Sequence, residues 1–349
     1  MGKKRDATID VLRGLAVFTM IPANMCAGGY VEPHAFWFRV WGSFAAPMFI
    51  LLSGYMVAAN CRAKSHGLSY YLKRGAMVLC TAALIDLLVW RIYPFTAFDV
   101  LYLIGISMPL IYLFRKHTSG WVSWAVLIAV FALGPVLQWL LGYSDYPTEF
   151  YFNPEEQVEL PANLTSIPQH YFVDGWFPLF PWLGFGLLGS LLADLRGPGT
   201  ADAQPALGKF ALPAFVGLLA VGLAAWWFYP GPMLTREGYS ELFYPPVPGF
   251  ILTSAAIAVG LFWVVDFVRD HAVFQPLRLL GESALLMYIL HQAADSYYVW
   301  DRWPEEELGP FMIVTGSMIL ALMVVGLLVR QLKKVWPNQP MVVKFLLGG

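Results

Sequence analysis

Ten apolar stretches, each close to bilayer-spanning length, divide the positive charge of this 349-residue chain so unevenly that every connecting loop can be assigned a side. A helix rising 1.5 Å per residue needs roughly 20 residues to cross about 30 Å of hydrocarbon. Stretches at 8–27, 40–60, 75–93, 98–114, 121–142, 176–194, 209–229, 248–268, 279–295 and 308–330 approach that length, and the short one at 98–114 is expected to tilt or insert only in part. Soluble domains carry about 25% charged and 45–50% apolar residues. With 13% charged and 58% hydrophobic residues, this chain belongs in a membrane. Trp37, Trp41, Trp176, Trp226, Trp227, Trp300 and Trp303 gather near the ends of the stretches, where amphipathic rings settle among headgroups.

Assigned alternately to the two sides, Lys3, Lys4, Arg5, Arg62, Lys64, Lys73, Arg74, Arg115, Lys116, Arg196, Lys209, Arg269, Arg278, Arg330, Lys333, Lys334 and Lys344 share one side. Only Arg39, Arg91, Arg236 and Arg302 fall on the other. Basic loops stay cytoplasmic. The sequence therefore predicts an all-α, polytopic transmembrane helix bundle of about ten spans with both termini cytoplasmic. The acidic and aromatic loop 143–175, which has no Lys or Arg, is placed outside. No loop reads as an independent soluble fold, so residues 1–349 are expected to form a single integral membrane domain, with 197–205 a cytoplasmic connector rich in Gly and Pro. Asp10 and Arg13 interrupt the first apolar run and no small-residue cleavage site follows, which predicts an uncleaved first helix rather than a signal peptide. Cys26, Cys61 and Cys80 fall at different depths and suggest no disulfide framework. A net charge of −1 gives no reason to expect a nucleic acid partner.

An ionisable group in hydrocarbon costs from about 2.5 kcal/mol upward unless it is paired or wet, so each one is a candidate for function. Asp10 and Arg13 share a face of the first helix, as a structural pair or as a phosphate-binding group. Asn24 lies further along the same helix, in the outer leaflet, and His34 follows the Gly28-Gly29 break, where the chain can turn back toward a cavity. Asp86 sits within the third stretch, with Arg91 five residues on, and His291-Gln292 close the ninth. Ser53-Gly54, Gly184, Gly186 and Gly189 suit close helix contacts. The loop acids Asp145, Glu149, Glu155, Glu156, Glu159 and Asp174, with His170, alternate with Tyr143, Tyr146, Tyr151, Phe152 and Tyr171. Such a surface suits a sugar or a polar headgroup, or a lid packed on the helices. No zinc-type ligand spacing occurs, so no metal site is expected. Asn163-Leu-Thr165 matches a glycosylation acceptor. The chain has neither a phosphate-binding Gly-rich loop with Lys-Ser/Thr nor a Gly-x-Ser-x-Gly elbow, which argues against a nucleotide-driven pump.

The run Asp10-Val-Leu-Arg13-Gly14-Leu-Ala-Val-Phe-Thr-Met-Ile-Pro-Ala-Asn24 resembles the opening of the heparan-alpha-glucosaminide N-acetyltransferase family, among the transmembrane acyltransferases. Ala46-Pro47-Met-Phe-Ile-Leu-Leu-Ser53-Gly54, Phe98-Asp99-Val-Leu-Tyr-Leu-Ile-Gly105, Phe177-Pro178-Leu-Phe-Pro181-Trp182-Leu-Gly184 and Leu280-Gly281-Glu-Ser283-Ala-Leu-Leu-Met-Tyr288-Ile-Leu-His291 are similar to later segments of it. The resemblance implies transfer of an acetyl group from cytosolic acetyl-CoA, a co-substrate rather than a tightly bound cofactor, to an acceptor across the membrane. It implies a catalytic role for His34, as general base or acyl carrier, and for Asn24, as a hydrogen-bond donor to the developing oxyanion. Arg13, Arg74 and Arg278 would meet the phosphates of coenzyme A, while Asp10, Asp174 and His291 would line the substrate tunnel and Asp86 would either line it or orient His34. The local departure is Glu32-Pro33 just before His34, in a loop not matched residue for residue.

The expected partners are membrane lipid, a glycan or other polar small-molecule acceptor, and a second copy or another subunit. The expected location is a bacterial cytoplasmic membrane. Two other readings stand beside this one. A transporter would have Asp86 and Arg91 on its path, although the sequence shows no convincing broken helix. A non-catalytic subunit of a larger complex would dock through the aromatic surfaces at 226–229 and 297–303.

Overall fold

The computed structural model describes residues 5–63, 66–144, 149–153, 166–197, 208, 210–299, 302–303 and 305–348. All but the first residue of the expected connector at 197–205, the glycosylation acceptor Asn163 and much of the loop 143–175 therefore lie outside the described residues. The described residues form helices, and strand-like pairing occurs only as isolated bridges. In order the helices are α1 (Ala7–Gly29), α2 (Phe36–Gly42), α3 (Ala45–Ala63), α4 (Leu68–Ile85), α5 (Val100–His117), α6 (Trp121–Leu141), α7 (Ser166–Gln169), α8 (Leu179–Arg196), α9 (Ala211–Phe228), α10 (Pro248–Val268), α11 (Gln275–Gly281), α12 (Ala284–Ala294), α13 (Leu308–Val335) and α14 (Met341–Leu346).

Six segments are long and apolar enough to cross a membrane: α1, Phe36–Ala63, α6, α9, α10 and α13. The number reaches eight if two bent pairs, Ser166–Asp174 with Leu179–Arg196 at 43° and Ala272–Gly281 with Ala284–Val299 at 72°, each count as one span. Each bent pair has the form of a broken span or a re-entrant loop, a feature the sequence did not reveal. The expected third and fourth spans correspond to α4 and α5, which form as helices of 18 residues each but carry Lys73 and Arg74, and Arg115 and Lys116, within that length. On α6 and α9 only 17% and 11% of the apolar window is buried. Outward apolar rings such as Trp121, Trp139, Trp227 and Phe228 suit lipid rather than water.

The chain divides into two compact units. The first comprises Met1–Met48, Thr235–Leu242 and Ala258–Gly349. Its central contact is the crossing of α1 with α11, where a Cβ on Gly14 would lie 1.8 Å from the Leu277 carbonyl oxygen, and one on Gly281 1.8 Å from that of Asp10. Only glycine permits this approach. Helix α1 starts where Asp6 accepts a hydrogen bond from the Thr8 amide at 3.1 Å. Arg5 grips both carboxylate oxygens of Asp10, at 3.1 and 3.0 Å, and also donates to the Gly348 and Glu282 carbonyls. Arg330 holds the Glu282 carboxylate. These bonds join α1 to the α11–α12 connection and to the end of the chain.

The second unit comprises Phe49–Leu234 and Phe243–Ile257. Helices α4 and α5 meet at Gly75 and Gly105, and α8 meets the 49–63 part of α3 at Gly54, Gly186 and Gly189. Apolar attraction between helices fades in lipid, so close packing of small residues replaces it. Arg115 makes a two-toothed pair with Asp194, at 2.8 and 2.9 Å, at the end of α8.

Gly14→Ala should destabilise the protein by about 1–3 kcal/mol through overpacking, despite the helix preference of alanine. Gly316→Ala on α13, where a Cβ meets open space, should be neutral or stabilising by up to about 1 kcal/mol. Thermal unfolding of both variants in one detergent measures the contrast, and equal melting temperatures would contradict the crossing.

Candidate active site

Four pieces of the first unit build a buried polar cluster: the last turns of α1, the loop from Tyr30 into α2, the 235–242 segment, and α12 with the π-helical turn Asp295–Val299 that extends it. Helix α1 stops when Tyr30 turns extended and pairs with Glu306, and His34 follows in the loop. Only 7% of His34 is exposed. Its Nε2 lies 2.9 Å from the Tyr30 carbonyl oxygen, which can only accept, so Nε2 carries the proton. Nδ1 is then the basic nitrogen and accepts the hydroxyl proton of Ser240, 2.5 Å away. The Tyr30 ring stacks on the imidazole at 4.6 Å, and Phe38 meets it edge-on.

Helix α2 holds the other side of this pair in place. Arg39 Nε donates to the Ser240 carbonyl at 2.6 Å. The Ser43 hydroxyl accepts from the Leu242 amide at 2.7 Å while donating to the Arg39 carbonyl.

Asn24 does not bond His34. Its Nδ2 donates to Nε2 of His291 at 3.0 Å, and His291 Nδ1 donates to the Met287 carbonyl at 3.1 Å. The fully buried His291 is thus neutral with its proton on Nδ1, the opposite tautomer to His34. One turn on from His291 comes the buried Asp295. Glu241 Oε2, Gln292 Oε1 and Asp295 Oδ2 are buried oxygens without a hydrogen-bond partner among the described residues. Burial pushes the Glu241 carboxyl up to about 7, against the opposing pull of its own backbone amide and of Arg39. Burial, reinforced by Asp295, Cys26 and Glu241, likewise raises the Tyr239 phenol.

The remaining residues singled out in the sequence lie elsewhere. Asp10, Arg13 and Arg278 belong to the α1–α11 crossing, with Arg13 and Arg278 adjacent to the Gly14–Leu277 contact. Asp10 is occupied by Arg5. Arg278 Nε is buried with no partner among the described residues. Along α1, Arg13 and Asn24 are separated by roughly 16 Å. Asp86, Asp174 and Arg74 belong to the second unit. Asp86 accepts from the Tyr102 hydroxyl at 2.5 Å. Asp174 takes His170 Nδ1 at 2.7 Å and Gln169 Nε2 at 2.8 Å. Arg74 lies over the Tyr70 ring at 5.9 Å.

Sequence reasoning passed over Tyr239, Ser240, Glu241 and Asp295. The available signals were a polar island, Thr235-Arg-Glu-Gly-Tyr-Ser-Glu241, between two long apolar stretches, and an acid four residues after His291.

An apolar helical chain that buries two imidazoles, each with its own hydrogen-bond partners, near its helix ends defines a helical membrane protein with a polar interior site. The catalytic profile of heparan-alpha-glucosaminide N-acetyltransferase matches residues 5–229, well over half of the chain. The protein belongs to that family and is an integral membrane protein of acetyltransferase type. The match contains Asn24 and His34 and stops short of Ser240, Glu241 and His291. A search of curated proteins finds no match.

Between about pH 4.5 and 7 the folded protein keeps a proton on Glu241 that the unfolded chain has released. Its contribution to stability therefore falls as pH rises through that window and levels off above it, by at most about 3 kcal/mol. Glu241→Gln should gain on the parent protein as the pH is raised from 5 to 8 in thermal unfolding. Parallel curves would show that Glu241 titrates normally.

Proposed function

We propose that the protein is a membrane-bound acyltransferase that moves an acetyl group from cytosolic acetyl-CoA to a glycan or other polar acceptor on the outer face. His34 serves as its general base. The observation that carries this reading is the buried imidazole of His34, whose Nε2–H is held by the Tyr30 carbonyl and whose Nδ1 faces the Ser240 hydroxyl at 2.5 Å. A base of that kind removes the proton of an attacking hydroxyl or amine, a contribution typically of 10²–10⁴-fold. Asn24 keeps a second amide hydrogen beyond the one given to His291 and can donate it to a developing oxyanion, an interaction typically worth about 2.7–4 kcal/mol. The unpartnered oxygens of Glu241, Gln292 and Asp295 favour an acceptor rich in hydroxyl or amine groups, which both donate and accept hydrogen bonds.

Arg13 and Arg278, each next in sequence to the Gly14–Leu277 contact of the α1–α11 crossing, are the proposed ligands of the coenzyme A phosphates. The free Nε of Arg278 supports this role. Coenzyme A comes and goes as co-substrate in this scheme. About ten spans, including α4 and α5, with both termini cytoplasmic in a bacterial inner membrane, complete the reading. The bent helix pairs are a feature that a transporter would share; the family match to an acetyltransferase catalytic domain favours transfer over transport.

Purified protein in nanodiscs, given radiolabelled acetyl-CoA and a panel of sugars and amines, tests the proposal. His34→Ala should slow release of the coenzyme A thiol at least about a hundredfold. Arg278→Ala should raise KM with little change in kcat. If the unmodified protein neither binds nor consumes acetyl-CoA, the transporter or subunit reading takes over.

A further inference from the structure

We propose that Ser240 carries the acyl group between donor and acceptor, as an ester on its hydroxyl, with His34 as the base that activates it. The inference rests on the acyl-transfer reading above and adds the atom to which the acyl group is bonded in transit. An activated nucleophile is recognised by a hydroxyl within hydrogen-bond reach of a base that a third group orients. Ser240, His34 and the Tyr30 carbonyl form that series at 2.5 and 2.9 Å. Because Nε2 is committed to the Tyr30 carbonyl, the Ser240 proton can only be directed at Nδ1.

Both partners are rigidly held. The Ser240 carbonyl is tied to Arg39, and two residues on the chain is tied again through Leu242 to Ser43. The imidazole lies flat on the Tyr30 ring. Ser240 is 4% exposed, which shelters an ester there from bulk water. The other buried histidines face groups of a different kind: His291 meets the Asn24 amide, and His170 the Asp174 carboxylate. Of the three, His34 alone is aimed at a hydroxyl that can be acylated.

In the first half-reaction Ser240 Oγ attacks the thioester carbonyl carbon while its proton passes to His34 Nδ1. The new C–O bond forms, the C–S bond breaks, and the departing thiolate takes the proton from the imidazolium to leave as free thiol. In the second half, the acceptor hydroxyl or amine gives its proton to Nδ1 as it attacks the ester carbonyl. Ser240 Oγ departs and recovers that proton from the imidazolium. Both side chains end as they began, and neither an oxidant nor a reductant is needed.

The full-length protein in nanodiscs is exposed to labelled acetyl-CoA and, separately, to excess p-nitrophenyl acetate, without acceptor, then quenched in acid and mapped by mass spectrometry. The expected result is an acetyl group on Ser240, formed much more slowly in His34→Ala. Ser240→Ala should lose turnover by about a hundredfold or more, and Ser240→Cys should trap a thioester that neutral hydroxylamine releases. Thermal unfolding of the variants separates loss of chemistry from loss of fold, and the cysteine variant keeps the test open if the alanine variant unfolds. Label on His34, or no label at position 240 from either donor in both the parent and the cysteine variant, would overturn the proposal. Turnover of acetyl-CoA by Ser240→Ala at the parental rate would do the same while leaving the acyl-transfer reading intact. Acylation of Ser240 by the nitrophenyl ester without any use of acetyl-CoA would sustain the Ser240–His34 pair and remove the coenzyme A donor.

Discussion

The glycine contact between α1 and α11 sets the frame on which the first unit depends. In lipid, the apolar surface of a helix gains little by meeting another apolar surface, so association comes from packing and from hydrogen bonds. A backbone separation that leaves no room for a Cβ at Gly14 or Gly281 brings many atoms into contact. It also fixes the position of a helix that carries Arg13 near one end and Asn24 near the other. The surrounding charges serve the same contact: Arg5 neutralises Asp10 and ties the start of α1 to the α11–α12 connection and the chain end.

On that frame neutral hydrogen bonds fix the two imidazoles of the polar cluster, and a charged one from Arg39 holds the Ser240 carbonyl. Backbone carbonyls fix the two imidazoles in opposite tautomers, so each presents one basic nitrogen, His34 to a hydroxyl and His291 to an amide. A backbone carbonyl is a suitable orienting group in an apolar setting, because it selects a tautomer without adding a charge to be desolvated. The acids in the cluster follow the same logic, as Glu241 illustrates by holding its proton toward neutral pH.

The π-helical turns at Asp86–Trp90, His170–Asp174 and Asp295–Val299 each carry a buried aspartate at their first or last position. Such turns interrupt the regular backbone ladder and occur often at functional sites. In the second unit the irregular backbone is accompanied by side-chain bonds, Tyr102 to Asp86 and Gln169 with His170 to Asp174.

Apolar length, composition and the uneven placement of Lys and Arg are local or additive properties, and they suffice to make the chain a helical membrane protein. The spacing around Asp10, Arg13 and Asn24 sufficed to point to its family, and Asn24 and His34 could be picked out because both lie on or just after one helix. The partner of His34, by contrast, is 206 positions away, and that of Asn24 is 267 away. No periodicity links such residues, and Ser240 in a loop is an ordinary hydroxyl until a base is brought to it. The bends of 43° and 72° were equally hidden, since apolar content records how long a segment is and not where its axis turns. Solvent preference is written residue by residue, whereas a hydrogen bond between distant side chains exists only once packing has fixed the distance and direction between them.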